Sequence, residues 1–374
     1  MRLYCDTAAL ASACQNVSHA ASTKTAIPAI EGILLVAKDQ TLYLTGYDLE
    51  MGITTTISAN VEEEGALVIN AHMFSETLRK LPADVVSIDS DSRNIASIRS
   101  GAFSSTLIGI SAEEYPELPA VMGGYPVEIE QTLLKDMIRK TIFSVAAKDS
   151  KIVHTGIRFE VRENHLRLIA VDGVRLAIRN EEIAYEGEDL TFVVPAKTLS
   201  EVIKLMSDEE EPIRIGVGKR HIEINVGNYG IISRLLDGEF LKYESAIPDS
   251  AKTVITADTR QLMDCVDRTS LIITDKIKSP IKCTFEDNEI QMSCISSLGT
   301  AQDRMECKIE GEGLTIGFNN KYMLDALRNC ETDEVRILLS GAIRPILIVP
   351  HSGDSFLFLI LPVRLKNEDK GEAR

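Results

Sequence analysis

Two hydrophobic rhythms alternate along this chain, and the whole alternation returns three times. Helical spacing marks segments such as Leu134, Ile138, Ile142 and Val145, where apolar residues recur every third or fourth position. Between such segments apolar and polar residues alternate one by one, the period of half-buried strands. An apolar strand running into an amphipathic helix reads LVINAHMFSETLRKL over 67–81, FVVPAKTLSEVIKLM over 192–206 and IGFNNKYMLDALRNC over 316–330. Another helix pattern starts at Asp6, around Glu130 and at Asp258. A strand-turn-strand block, LYLTGYDLEMGI over 42–53, returns as LRLIAVDGVRLAI over 166–178 and more weakly as IQMSCISSLGT from Ile290.

The copies share a register. Leu42, Leu166 and Ile290 stand 124 residues apart, Asp48 and Asp172 keep that spacing, and so do Leu10 and Leu134, whereas Leu262 sits four residues late. Fixed-period self-similarity means duplicated units, and a period this long exceeds any solenoid repeat, so each copy is expected to be a domain with its own core. Boundaries are expected near Gly123-Gly124-Tyr125-Pro126 and Pro248-Asp249-Ser250, giving domains 1–124, 125–250 and 251–365 and a disordered tail over 366–374.

Turn signals at Glu163-Asn164, Asp287-Asn288 and His351-Ser352-Gly353-Asp354 join strand pairs. Asp6, Asp258, Asn70 and Asn319 suit helix N-caps, and Pro195 suits a helix start. Two helices and about eight mostly antiparallel strands per copy define an α+β fold, with the helices packed on antiparallel sheets.

Composition fits this picture: 374 residues, 44% hydrophobic and 26% charged, is ordinary globular usage. The longest apolar run, Phe356 to Val363, has strand length, and no stretch resembles a signal peptide, so the chain is expected to be cytoplasmic and not membrane-bound. Seven cysteines lack CxxC spacing and fall in apolar patterns, which predicts reduced core thiols and no metal site.

The net charge of −16 argues against nucleic acid only if it is evenly spread. Acids concentrate in loops, at Glu62-Glu63-Glu64, Asp208 to Glu211 and Glu331 to Glu334, whereas the helices carry bases opposite their apolar stripes. Lys135 and Arg139 are i, i+4 neighbours; Lys80, Lys204 and Arg328 recur at the 124-residue spacing, as do Lys197 and Lys321. An exposed helix face carries some lysine in any protein. A stripe recurring on every copy becomes a footprint for a polyanion backbone if the helices share one surface.

Catalytic motifs are missing: no GxxxxGK[ST] loop, no GxSxG elbow and no HExxH, while GEGLTIG over 311–317 misses GxGxxG spacing. Asp48 and Asp172 are read as turn formers, not paired catalytic carboxylates. No cofactor is expected. The competing reading at this level is a three-domain acidic enzyme or scaffold without DNA binding.

TGYDLEMGI over 45–53, AEEYPELP over 112–119, VDGVRLA over 171–177 and the closing LPVRL over 361–365 resemble the bacterial DNA polymerase III β subunit family, the sliding clamps, from Met1 to about Leu365. The resemblance implies a non-catalytic processivity factor: a head-to-tail homodimeric ring of six domains that encircles double-stranded DNA without reading its sequence. Twelve helices about 10 Å apart would enclose a hole of roughly 28 Å, wider than a duplex of roughly 20 Å. Implied DNA-facing positions are Lys24, Lys80, Lys148, Lys151, Lys197, Lys204 and Lys321. Implied dimer contacts are Leu107, Ile272 and Ile273. An apolar cleft between the second and third domains would take short peptides from the polymerase III α subunit, the clamp loader, repair polymerases, ligase and mismatch-repair proteins. Its implied residues are His154, Gly173, Arg175, Leu176 and Leu241, then Asn319, Tyr322, Ile343 and Pro345, and finally Ile360, Leu361, Pro362, Val363 and Arg364. Aliphatic walls would bury peptide anchors while Arg175, Asn319 and Arg364 hold backbone or carboxylates. His154 stands where the family pattern is aliphatic, Leu241 where proline is frequent and Ser245 where arginine is frequent, so peptide preference is expected to be shifted.

Overall fold

The computed structural model describes residues 1–365 apart from 24, 124, 149–150, 209–210 and 275; the tail 366–374 lies outside the described residues. Helices form where helical spacing predicts them: α1 Thr7–Ser18, α2 Ala71–Leu78, α3 Gln131–Ile142, α4 Ala196–Leu205, α5 Thr259–Thr269 and α6 Asn320–Arg328. The predicted caps are made. Asp6 accepts from the Ala9 amide and Asp258 from the Gln261 amide, both at 2.7 Å. Asn70 accepts from the Met73 amide at 3.0 Å, and Asn319 from the Lys321 and Tyr322 amides at 2.9 and 3.3 Å. Each satisfies amides that the first helical turn leaves unpaired.

The strands pair antiparallel throughout, in four sheets. Asp39-Gln40, Glu163-Asn164 and Asp287-Asn288 all have positive φ at both residues, and they lie 124 residues apart. This is the two-residue hairpin geometry whose twist matches that of the flanking strands. Asp48 and Asp172 are turn formers, as expected. Asp48 Oδ1 accepts from the Glu50 and Met51 amides at 3.0 and 2.7 Å, and Asp172 Oδ1 from the Val174 and Arg175 amides at 3.1 and 3.0 Å. Ser296 takes the same register in the third copy, its Oγ accepting from the Leu298 amide at 3.1 Å.

Compactness divides the chain differently from the repeat. One unit comprises Met1–Lys135, Ala184–Glu188 and Lys197–Leu235; the other comprises Asp136–Ile183, Asp189–Ala196 and Leu236 onward. Sheet continuity is the reason. In the first unit an eight-stranded sheet crosses from the first copy to the second where Met51–Ser58 pairs with Tyr229–Arg234. In the second unit a nine-stranded sheet crosses from the second copy to the third where Arg175–Glu182 pairs with Phe356–Ile360.

The expectation of one private core per copy is accordingly modified in the second unit. Ala177 of the junction strand joins the third-copy core, with Leu262, Val266, Leu324 and Leu327 from α5 and α6 and Ile281, Phe285 and Phe318 from the four-stranded sheet. Its neighbours Leu176 and Ile178 point to the opposite face, where they meet Ile169, Leu347 and Leu359 beneath Phe240 and Tyr243. A strand covered on both faces must be apolar at successive positions, which is why LAI interrupts the alternation there. All seven cysteines are free thiols, five of them buried, and burial pushes Cys14 and Cys265 up to about 12.

Candidate functional site

The sequence-predicted residues fall into three groups, each with its own local geometry. Among the basic residues, exposed Lys80, just past the end of α2, lies 3.5 Å from Glu76 of that helix, and Lys204 donates to Glu201 at 2.9 Å within α4. Lys197 donates to Asp48 Oδ2 at 2.5 Å, so the carboxylate that closes the 48–51 turn also holds this base. Lys321 and Lys148 are exposed, with no carboxylate in ion-pair range among the described residues, and Lys151 is exposed. Lys24 lies outside the described residues. Lys135 departs from the expected free basic face: its side chain is largely buried and donates to Asp208 at 2.7 Å and to the Met206 carbonyl. Several of the predicted bases are therefore neutralised by the protein's own acids.

Every predicted cleft residue falls in the second compact unit. Leu176 and Ile360 are buried in the sheet, and Arg175 pairs across the junction with Ile360. Ile343 is 79% exposed, while Leu241, Leu361 and Val363 are each a little over one-third exposed, leaving aliphatic surface open to solvent. Pro345 and Pro362 are half-buried, and Arg364 is exposed. The segment after Ile360 is fixed by backbone bonds: the Leu361 amide donates to the Val174 carbonyl at 2.9 Å and the Val363 amide to the Gly317 carbonyl at 2.8 Å. Gly173, at φ +87°, gives the adjoining turn a conformation that side chains resist; its register mate Leu49 holds φ +74° at a cost of about 1–2 kcal/mol.

Two polar members of the predicted cleft are already engaged. Arg175 donates from Nε to Asp172 at 2.8 Å and from a terminal nitrogen to Asp325 at 2.7 Å, with its guanidinium 4.6 Å above the Tyr322 ring. Its geometry suits an organiser of the wall more than a free cation. Asn319 uses its side-chain oxygen to cap α6. His154 is buried edge-on to Phe240 at 5.5 Å between ring centres, and the Arg158 guanidinium sits 5.4 Å from the centre of that same ring. Tyr243, from the segment crossing this face, donates to buried Glu160 at 3.2 Å and accepts from Arg167 at 3.3 Å; burial raises its hydroxyl pKa.

The third group lies on or beside two separate unpaired strand edges. Phe103–Ile108 ends a five-stranded sheet in the first unit, and Gly299–Glu306 ends a four-stranded sheet in the second. Leu107 is half-buried on the first edge strand, flanked by exposed Ile108 and Phe103. Ile272 and Ile273 are half-buried against the third-copy core, next to exposed Leu271, Ile295 and Leu298. Sequence reasoning missed these exposed residues. Their signal was available as apolar side chains on the outward positions of edge strands and hairpins and, for Leu271, in the turn that follows α5.

Models of the DNA polymerase III beta subunit match the chain in three parts: the N-terminal domain over residues 1–119, the central domain over 128–242 and the C-terminal domain over 244–364. The beta sliding clamp of Bacillus subtilis (strain 168) is 34% identical over 362 residues, covering 94% of this chain and 96% of its own. The Staphylococcus aureus beta sliding clamp is 32% identical over 355 residues, 92% of this chain and 94% of its own. Among solved structures, the Bacillus subtilis DNA polymerase sliding clamp superimposes with a TM-score of 0.95 at 32% identity, covering 98% of this chain and 100% of that one. A Pseudomonas aeruginosa sliding clamp bound to griselimycin gives 0.92 at 26% identity, with the same coverage. With this similarity running nearly end to end and all three domain models matched in order, the chain belongs to the DNA polymerase III beta subunit family.

Proposed function

We infer that this chain is a DNA sliding clamp, a processivity factor that tethers the replicative polymerase to duplex DNA. Relatives matched along nearly their whole length carry that name, and the threefold recurrence of one helix pair on antiparallel sheet is the observation that carries the reading. Two chains joined head to tail, Phe103–Ile108 of one beside Gly299–Glu306 of the other, would close six such copies into a ring. Leu107, Ile272 and Ile273, with the exposed Phe103, Ile108, Leu271, Ile295 and Leu298, would supply the apolar contact.

Within the ring the lysines act weakly and without sequence preference, and topology does the tethering. Pairing of Lys80, Lys197 and Lys204 with the chain's own acids supports weak contact, because a phosphate must displace a carboxylate to be held. The cleft around Leu176, Leu241, Ile343, Leu361 and Val363 takes linear peptides from the polymerase, the clamp loader and repair factors. Its exposed aliphatics match the anchors of such peptides. The working compartment is the cytoplasm, where a replication factor of this family meets DNA.

The test is retention on nicked circular DNA after loading. Wild-type protein should remain on the circle and leave when the circle is linearised, while sedimentation reports a dimer of twice the chain mass. A stable monomer at micromolar concentration, or binding that depends on salt and ignores DNA topology, would reject the reading.

A further inference from the structure

We propose that Lys276 and Lys278, in the loop after α5, form a third-copy DNA contact equivalent to that of Lys148 and Lys151 after α3. This rests on the DNA-encircling function. The positional argument comes from the repeat. Lys24 stands six residues beyond the end of α1, Lys148 six beyond the end of α3, and Lys276 seven beyond the end of α5. In each copy a lysine therefore follows the first helix at the same point of the chain path, before the strand that begins the next sheet.

Charge and anchoring support a binding role. From Lys276 to Lys282 the chain carries three lysines and no carboxylate, in a protein of net charge −16. Lys276 and Lys278 are exposed, and no carboxylate among the described residues lies in ion-pair range of either. That separates them from Lys80, Lys197 and Lys204, which are paired internally. The loop is also held at both ends. Ser296 Oγ donates to the Ile272 carbonyl at 3.0 Å, and the Ile273 amide donates to the Ser270 carbonyl at 2.8 Å. Thr274 and Ile277 exchange both backbone bonds at 3.1 Å, and Pro280 leads into the strand Ile281–Glu286. The second-copy loop is pinned comparably, the Ala146 amide donating to the His154 carbonyl and the His154 amide to the Lys151 carbonyl, both at 3.0 Å. Lys276 and Lys278, on an anchored loop, lose little backbone freedom on meeting phosphate.

The experiment measures direct binding of the full-length dimer to a short fluorescent duplex across a salt series, for wild type, Lys148→Gln/Lys151→Gln and Lys276→Gln/Lys278→Gln. Each lysine that contacts phosphate should lower the slope of log K against log salt by about 0.9, so both double variants should flatten it to a similar degree. A third-copy variant with the wild-type slope, beside a flattened second-copy variant, overturns the proposal. Loss of the dimer in the Lys276→Gln/Lys278→Gln protein by sedimentation also overturns it, since the residues would then serve the neighbouring Ile272-Ile273 contact. Wild-type protein with no salt-dependent binding and no retention on circular DNA would instead reject the clamp function itself.

Discussion

The two places where the sheet crosses from one copy to the next are built alike in backbone and oppositely in side chains. At the first, Met51–Ser58 against Tyr229–Arg234, the links are neutral hydrogen bonds. Thr54 Oγ1 donates to the Gly230 carbonyl at 3.2 Å, Thr55 Oγ1 to the Asn228 carbonyl at 3.1 Å, and Asn16 to the Tyr229 hydroxyl at 2.8 Å. Its one flanking arginine pair, Arg234 with Glu50 at 3.3 Å, is exposed. At the second, Arg175–Glu182 against Phe356–Ile360, Arg179 is only 4% exposed. It reaches Glu181 at 2.8 Å, Glu331 at 3.0 Å, Asp136 at 3.2 Å and the Ser355 carbonyl at 2.9 Å. Lys140 joins the same carboxylates, at 2.5 Å from Asp136 and in contact with Glu331. Duplication copied the strand pairing, and each junction then acquired a different chemistry. The ionic one is demanding: its members tolerate one another only as a set.

The sharpest way to break this contrast is Arg179→Met, which removes the buried guanidinium from Asp136, Glu181 and Glu331 while Lys140 still faces two of those partly exposed carboxylates. We expect a loss of about 1.5–3 kcal/mol, read as a lowered denaturant midpoint; a loss below about 1 kcal/mol would show that the network does not hold the second junction. Alkaline pH probes the two units as wholes. Burial raises Cys265 and Cys330 to about 12 and Cys283 well above 9.0 in the second unit, and Cys5 and Cys14 to about 12 in the first. The unfolded chain releases these thiol protons first, so stability is complete below about pH 9 and falls as pH rises toward the folded values. The fall is at most about 1.4 kcal/mol per pH unit for each thiol. Denaturant titrations at pH 8 and 10, with hydrogen exchange read by region, should show the second unit opening first. Next in size is Thr55→Val, which removes a hydroxyl that is 3% exposed and its bond to Asn228; a loss of about 1 kcal/mol is expected by the same titration. Smallest is Arg234→Ala, where an exposed pair should contribute no more than about 0.5 kcal/mol. An effect there rivalling that of Arg179→Met would erase the distinction between the junctions.

Local chemistry was legible in the sequence and long-range pairing was not. Asn164 and Asn288 announce hairpins because a two-residue turn depends on its own φ values, and Asp6 and Asp258 announce helices because a cap bonds three residues ahead. The basic stripe was readable as spacing. Whether each lysine is free depends on acids far along the chain: Asp208 lies 73 residues from Lys135, and Asp48 lies 149 from Lys197. Arg175 looked available for a peptide carboxylate because Asp325, its partner, is 150 residues away. Arg179 gave no signal at all, since its bonds to Glu331 and Ser355 span 152 and 176 residues. In the cleft, the aliphatic character of Leu241, Ile343, Leu361 and Val363 could be read directly, while their exposure required the fold.

The unpaired edges at Phe103–Ile108 and Gly299–Glu306 also set a hazard for the chain before it finds its partner. A newly made protomer displays two rows of free amides and carbonyls beside Ile108, Leu271, Ile295 and Leu298, a template on which any passing strand can crystallise. Because the two edges are on different copies, a head-to-tail addition that failed to close would grow into a filament. The net charge of −16 bears on this hazard. Mutual repulsion slows haphazard collisions between protomers, so that in the cell the time spent alone, and the abundance of the chain that governs it, decide how many molecules end as rings and how many are lost to aggregation.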